Sequence, residues 1–130
     1  MKYLGVDFGL KRVGFARSNG ELSSPWKVIE GKGVVSLTEK IRLEAADFEK
    51  IVIGVPEGKM GKLVKKVIGQ LKAEGFNVIE SDETLSSQNA TKLMVDLGLS
   101  KKKRKTNDAY SAAEILQNYL DNQKHLTATL

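Results

Sequence analysis

Three acids carry the chemistry that this chain could perform: Asp7, Glu83 and Asp108. Asp7 ends the run Leu4-Gly5-Val6-Asp7-Phe8-Gly9. Acids are poor strand formers, and an ionised carboxylate near a core is costly unless it is paired or bound to a cation. Gly5 shares its strand face and Gly9 follows, so a second backbone, a metal or a phosphate can come close. Taken alone, Asp7 is explained equally well by a pair with Lys11 or Arg12 across the next turn. Asp82-Glu83 follows another short apolar run, at a strand's carboxyl end, where open sheets bind ligands. Acids that favour the start of a following helix are the structural alternative there. Asp108 stands at a helix start, where aspartate most often serves as an N-cap. As a set, the three suit a hard cation. Magnesium prefers oxygen ligands and shares its waters with substrate phosphates. Two ions about 4 Å apart can activate water and stabilise the leaving oxygen of a phosphodiester. Other hydrolytic chemistry has little material here. There is no cysteine, the one histidine (His125) falls in the C-terminal tail, and no serine sits in a nucleophile-elbow pattern.

Positioning these acids requires a sheet. Residues 2–8 alternate as a strand, and Lys11–Ser18 resumes with Val13 and Phe15 on one face and Gly14 and Ala16 on the other. Asn19-Gly20 predicts a two-residue hairpin turn into a third strand through Trp26, Val28 and Ile29, with Pro25 marking a sheet edge. Val34, Leu37, Ile41, Ala45 and Phe48 keep a helical stripe. Lys50–Val55 is a dense apolar run suited to a strand covered on both faces. A helix follows over 61–74, closed by Gly75, and then a strand over 76–81. Ser86 or Ser87 begins a third predicted helix that ends at Gly98. A last helix starts near Asn107-Asp108 and buries Ala109, Ala112, Ala113, Leu116 and Leu120. The order β-β-β-α-β-α-β-α-α predicts an α/β fold: a mixed five-stranded sheet with helices on its faces. No repeat or linker divides the chain, so residues 1–130 are expected to form a single domain.

Charge adds a partner. The net charge of +5 is modest, but Lys101, Lys102, Lys103, Arg104 and Lys105 are consecutive. Lys59, Lys62, Lys65, Lys66 and Lys72 recur at near-helical spacing. Two such clusters favour a nucleic-acid partner over a merely solvated surface. No apolar run approaches the roughly 20 residues of a membrane span, and Tyr3–Phe8 is too short for a signal peptide. A soluble cytoplasmic protein without a membrane partner is expected.

Several segments together resemble one family. They are Gly5-Val6-Asp7-Phe8-Gly9 with Arg12-Val13-Gly14, Ile53-Gly54-Val55-Pro56, Asp82-Glu83-Thr84-Leu85-Ser86-Ser87 with Ala90, and Asn107-Asp108-Ala109-Tyr110-Ser111-Ala112 with Ile115-Leu116 and Tyr119-Leu120. In this order they resemble the bacterial YqgF/RuvX family, whose members are described as candidate pre-16S rRNA nucleases and, earlier, as Holliday junction resolvases. The resemblance implies an RNase H-like fold. It implies a hydrolase that uses Mg2+ or Mn2+, with Asp7, Glu83 and Asp108 as catalytic acids and metal ligands, and Asp82 and Lys105 lining the same cleft. The implied role is 5′-end processing of pre-16S rRNA in ribosome biogenesis by a monomer or weak homodimer that binds structured RNA or branched DNA. Arg12, Lys59, Lys62, Lys66 and the 101–105 cluster are the expected nucleic-acid contacts. Two departures stand out. Thr84 occupies the place where members commonly carry an arginine, and Glu57-Gly58-Lys59-Met60-Gly61 replaces an Asp/Asn-Gly-Thr stretch.

Three other functions compete. A Holliday junction resolvase would call for a two-fold dimer. A non-catalytic nucleic-acid-binding module would explain the charge but needs no three converging acids. Actin-like ATPases begin with a similar strand-Asp-x-Gly hairpin, yet they require two such domains around the nucleotide.

Overall fold

The computed structural model describes residues 2–82 and 107–129. Strands β1 (Tyr3–Phe8), β2 (Arg12–Ser18), β3 (Ser23–Glu30), β4 (Lys50–Val55) and β5 (Val78–Asp82) form one sheet in the order β3-β2-β1-β4-β5. β2 runs antiparallel to β1 and β3, whereas β4 is parallel to both β1 and β5. The carboxyl ends of β1, β3, β4 and β5 therefore share one rim of the sheet. Helices α1 (Gly33–Ala45) and α2 (Gly58–Ala73) both start at that rim. Helix α3 (Asn107–Thr129) is the last described element. The helix expected over 86–97 lies outside the described residues.

Alternation along β1 and β2 gives the sheet two unlike faces. Leu4, Val6, Phe8, Val13 and Phe15 join Ile51 and Ile53 beneath α1 and α2, which contribute Leu37, Ile41, Val64, Ile68 and Leu71. On the opposite face Ala16 and Val52 meet Ala112, Ile115, Leu116 and Leu120 of α3. Both cores are mostly aliphatic, as a chain with one Trp and four Phe requires, and the aromatic rings Phe8 and Phe15 lie in the first of them. The α3 face is built for close approach. A Cβ on Gly5 would lie 2.7 Å from the Ala112 carbonyl oxygen and 2.8 Å from the Leu116 Cβ, so the helix rests almost on the strand backbone.

Several expected boundaries shift. Ser18 pairs with Ser23, so the β2–β3 link has four residues rather than the two expected at Asn19-Gly20. Gly20 takes a positive φ, and its N–H donates to Ser18 Oγ, which favours the wider turn. Pro25 does lie on an edge strand, beside a register shift that leaves Trp26 as the extra residue between the Phe15–Lys27 and Ala16–Pro25 pairs. α1 ends at Ala45, and Phe48 packs on the core from beyond it. α2 begins at Gly58, about a turn earlier than expected. Its end is a Schellman closure: Gly75 has φ +100°, and the Phe76 N–H reaches the Leu71 carbonyl at 3.1 Å. In α3, Ile115 joins the buried set and Ala113 is only half-buried.

Two polar clasps hold the helices in place. Arg42 of α1 binds both oxygens of Glu74 at the end of α2, which holds the Glu74 carboxyl below the usual glutamate range. On the other face, Gln117 accepts the Ser23 N–H at 2.9 Å, and Ser23 Oγ donates to the Ala113 carbonyl at 2.5 Å. The second clasp ties α3 to the edge strand and so fixes where its first turn comes to rest.

Candidate active site

Asp7 sits near the end of the central strand and is 8% exposed. Residues two apart on a strand share a face, so Asp7 projects on the same side as Gly5, the side that carries α3. Its cross-strand partner is Gly14. A Cβ at Gly14 would lie 2.1 Å from the Asp108 carbonyl oxygen, so the first turn of α3 is seated directly on that glycine. The carboxylate-bearing turn thus adjoins the strand carboxylate. On the other side of Asp7 the parallel register runs Val6 to Ile53, and the next residue of β4 is the buried Gly54, which pairs with Ser81. Asp7 is therefore flanked by two glycines.

Arg12, which begins β2, places its Nε 2.6 Å from Asp108 Oδ2. The pairing of Arg12 is with the helix acid rather than with the strand acid. Their side chains are 46% and 28% exposed, and an ion pair in that setting contributes on the order of 1 kcal/mol or less. A phosphate or a cation can therefore compete for either member at small cost. Asp108 also lies in the first turn of its helix, where the dipole favours a negative charge.

The structure brings Asp7, Asp108 and Arg12 together at one rim of the sheet. Glu83 and Lys101–Lys105 lie outside the described residues. No group of three potential metal-binding side chains converges among the described residues, where the site supplies two acids. Lys59 and Lys62 occupy the first turns of α2 at the same rim and are exposed; Lys66 is exposed two turns further along that helix. Lys11 and Lys32 were not singled out among the expected contacts, yet both line a cleft that also includes Arg12. The turn-forming triplet Gly31-Lys32-Gly33 at a strand end was the available signal. The donor set fits magnesium or manganese: carboxylate oxygens, no sulfur, and small residues that leave room for waters.

Residues 1–122 match the family described as "RuvX: Holliday junction resolvase". The chain belongs to this family. A Fusobacterium nucleatum protein called "Putative pre-16S rRNA nuclease" is 32% identical, across 95% of this chain and 99% of the relative. A Sulfurihydrogenibium protein of the same description is 35% identical, across 92% and 90%. Among solved structures, the fowlpox virus Holliday junction resolvase superposes with a TM-score of 0.63 at 12% identity, covering 95% of this chain and 99% of that one. Thermus thermophilus RuvC in complex with a Holliday junction gives 0.50 at 16% identity, covering 88% and 91%. These likenesses establish the RNase H-like fold expected for this RuvX-family chain. No described helix is long and apolar enough to cross a membrane.

Proposed function

We propose that this RuvX-family chain is a metal-dependent phosphodiester hydrolase of structured nucleic acid, working in the cytoplasm on the 5′ end of pre-16S rRNA. One observation carries the reading: α3 delivers Asp108 onto Gly14, beside the buried carboxylate of Asp7. Relatives described as pre-16S rRNA nucleases, matched over nearly their whole length, support the choice of RNA.

Asp7 and Asp108, with Glu83 as the third acid, would hold Mg2+ or Mn2+. Bound there, the cation would supply Lewis acidity toward the phosphate and lower the pKa of water, so that hydroxide is available as the nucleophile. The chain's own groups do the rest. Asp7 is fixed by its central strand, so its oxygens need little reorganisation. Arg12 offers a planar guanidinium that can leave Asp108 for a phosphate oxygen. That matters because Thr84 stands where the family resemblance leads one to expect an arginine. Lys59 and Lys62, with Lys66 and the 101–105 cluster further out, would hold the flanking backbone through charge.

The test compares a precursor 16S fragment spanning its mature 5′ end with a DNA four-way junction, each incubated with Mn2+. Cleavage of the RNA near the mature end, at about tenfold or more the junction rate, is expected. Paired symmetric cuts in the junction with intact RNA would establish the resolvase alternative, to which the likeness in fold lends support. Binding of both substrates without cleavage would leave only a binding module.

A further inference from the structure

We infer that the cleft between the β1–β2 turn and the β3–α1 turn is a binding site for the phosphodiester backbone next to the bond cut at the Asp7–Asp108 rim. This inference rests on the nuclease reading above and locates the path of its substrate. The cleft is an open surface concavity of about 600 Å3 lined by Leu10, Lys11, Arg12, Glu30, Gly31, Lys32 and Gly33. That size is within the range of small-ligand sites and has room for a nucleotide.

Three features give the cleft its chemistry. Lys11, Arg12 and Lys32 set three cations against the single acid Glu30. Leu10 is 58% exposed, an apolar surface on which a sugar or base can rest. Arg12 belongs both to the cleft and to the ion pair with Asp108, so a strand held in the cleft leads directly to the carboxylates. The walls are also tied to each other. The Gly31 N–H donates to the Lys11 carbonyl at 3.0 Å, the Gly9 N–H donates to the Arg12 carbonyl at 2.9 Å, and Arg12 faces Glu30 across the β2–β3 ladder. A site already braced in this way loses little entropy on binding.

Two measurements locate the strand. The first is the affinity of a fluorescein-labelled RNA hairpin with a single-stranded tail, titrated in EDTA so that nothing is cut. Reversing both lysines (Lys11→Glu with Lys32→Glu) should weaken binding about tenfold or more. It should also flatten the salt dependence by roughly 1.4 in the logarithmic slope, two single-strand phosphate contacts' worth. The same change in charge on α2 (Lys65→Glu with Lys72→Glu) should cost less than about threefold. The second measurement uses the chain's lack of cysteine. Leu10→Cys should form a disulfide by thiol exchange with a tether carrying an activated mixed disulfide, placed within a few nucleotides of the cut bond, with the tether's leaving thiol released. Leu43→Cys, 67% exposed on α1, should not. Equal losses for the two lysine pairs, equal cross-linking at the two positions, or displacement of the RNA by equimolar ATP would each overturn the inference. Normal binding with this dependence on Lys11 and Lys32, but no cleavage by the wild-type protein in Mn2+, would instead sink the nuclease reading and leave the cleft standing.

Discussion

Asp7→Asn is expected to lower the rate of nucleic-acid cleavage on the order of a thousandfold, while leaving nucleic-acid affinity unchanged or slightly higher. The amide keeps the volume and one acceptor oxygen of the carboxylate but removes its charge, and charge is what a divalent cation requires of its ligand. Affinity should survive because the expected backbone contacts are the lysines and Arg12, and the loss of one anion beside a phosphate reduces repulsion. The fold should survive as well. Asn is nearly isosteric with Asp, and the backbone pairing of residue 7 to Gly14 does not depend on the side-chain charge. Single-turnover cleavage beside the anisotropy titration separates the two effects. Equal loss of rate and affinity would mean that Asp7 shapes the surface rather than the chemistry.

Gly14→Ala should destabilise the chain by about 3 kcal/mol and lower its melting temperature by roughly 10 °C. The added Cβ would fall 2.1 Å from the Asp108 carbonyl oxygen and 2.7 Å from the Ala109 nitrogen, both backbone atoms of a helix that cannot yield locally. To make room, the first turn of α3 must lift away from the sheet, which carries Asp108 off the Asp7 rim. Activity should therefore fall even at temperatures where the variant is folded. Gly69→Ala is the contrast. That glycine lies in mid-α2, has nothing within 4 Å of its missing Cβ, and should gain about 0.5–1 kcal/mol from helix propensity. Fluorescence of the single tryptophan, Trp26, reports both melts. A Gly14→Ala protein that melts like wild type would show that α3 does not rest where the structure places it.

Much of the sheet is legible along the chain because β1 and β2 are patterned on both faces. Val13 and Phe15 had to face one core and Gly14 and Ala16 the other, and a period of two leaves no freedom once one face is buried. The glycine closing α2 was equally plain, since Gly75 meets a specific backbone demand. The turn at Asn19-Gly20 misled because a local dipeptide preference gave way to the register set by Ser18 and Ser23. The start of α2 misled because Gly58 and Lys59 carry no apolar stripe, yet the helix winds back through them. For the site, Asp7 stood out as a strand acid and Asp108 as a helix-start acid. Their adjacency did not, because it depends on a contact between Gly14 and α3 across 94 residues of chain. For the same reason, Arg12 could be placed beside an acid but not beside the right one. Nothing local distinguishes Asp7 from Asp108 as its partner.

The central claim is that Asp7 and Asp108 hold a divalent cation, and calorimetric titration of Mn2+ into wild type, Asp7→Asn and Asp108→Asn tests it most directly. Saturable binding to wild type, accompanied by thermal stabilisation that grows with the logarithm of free Mn2+, is predicted, with both effects lost or weakened more than about tenfold in each variant. Equal heats and equal stabilisation in all three proteins would contradict the account.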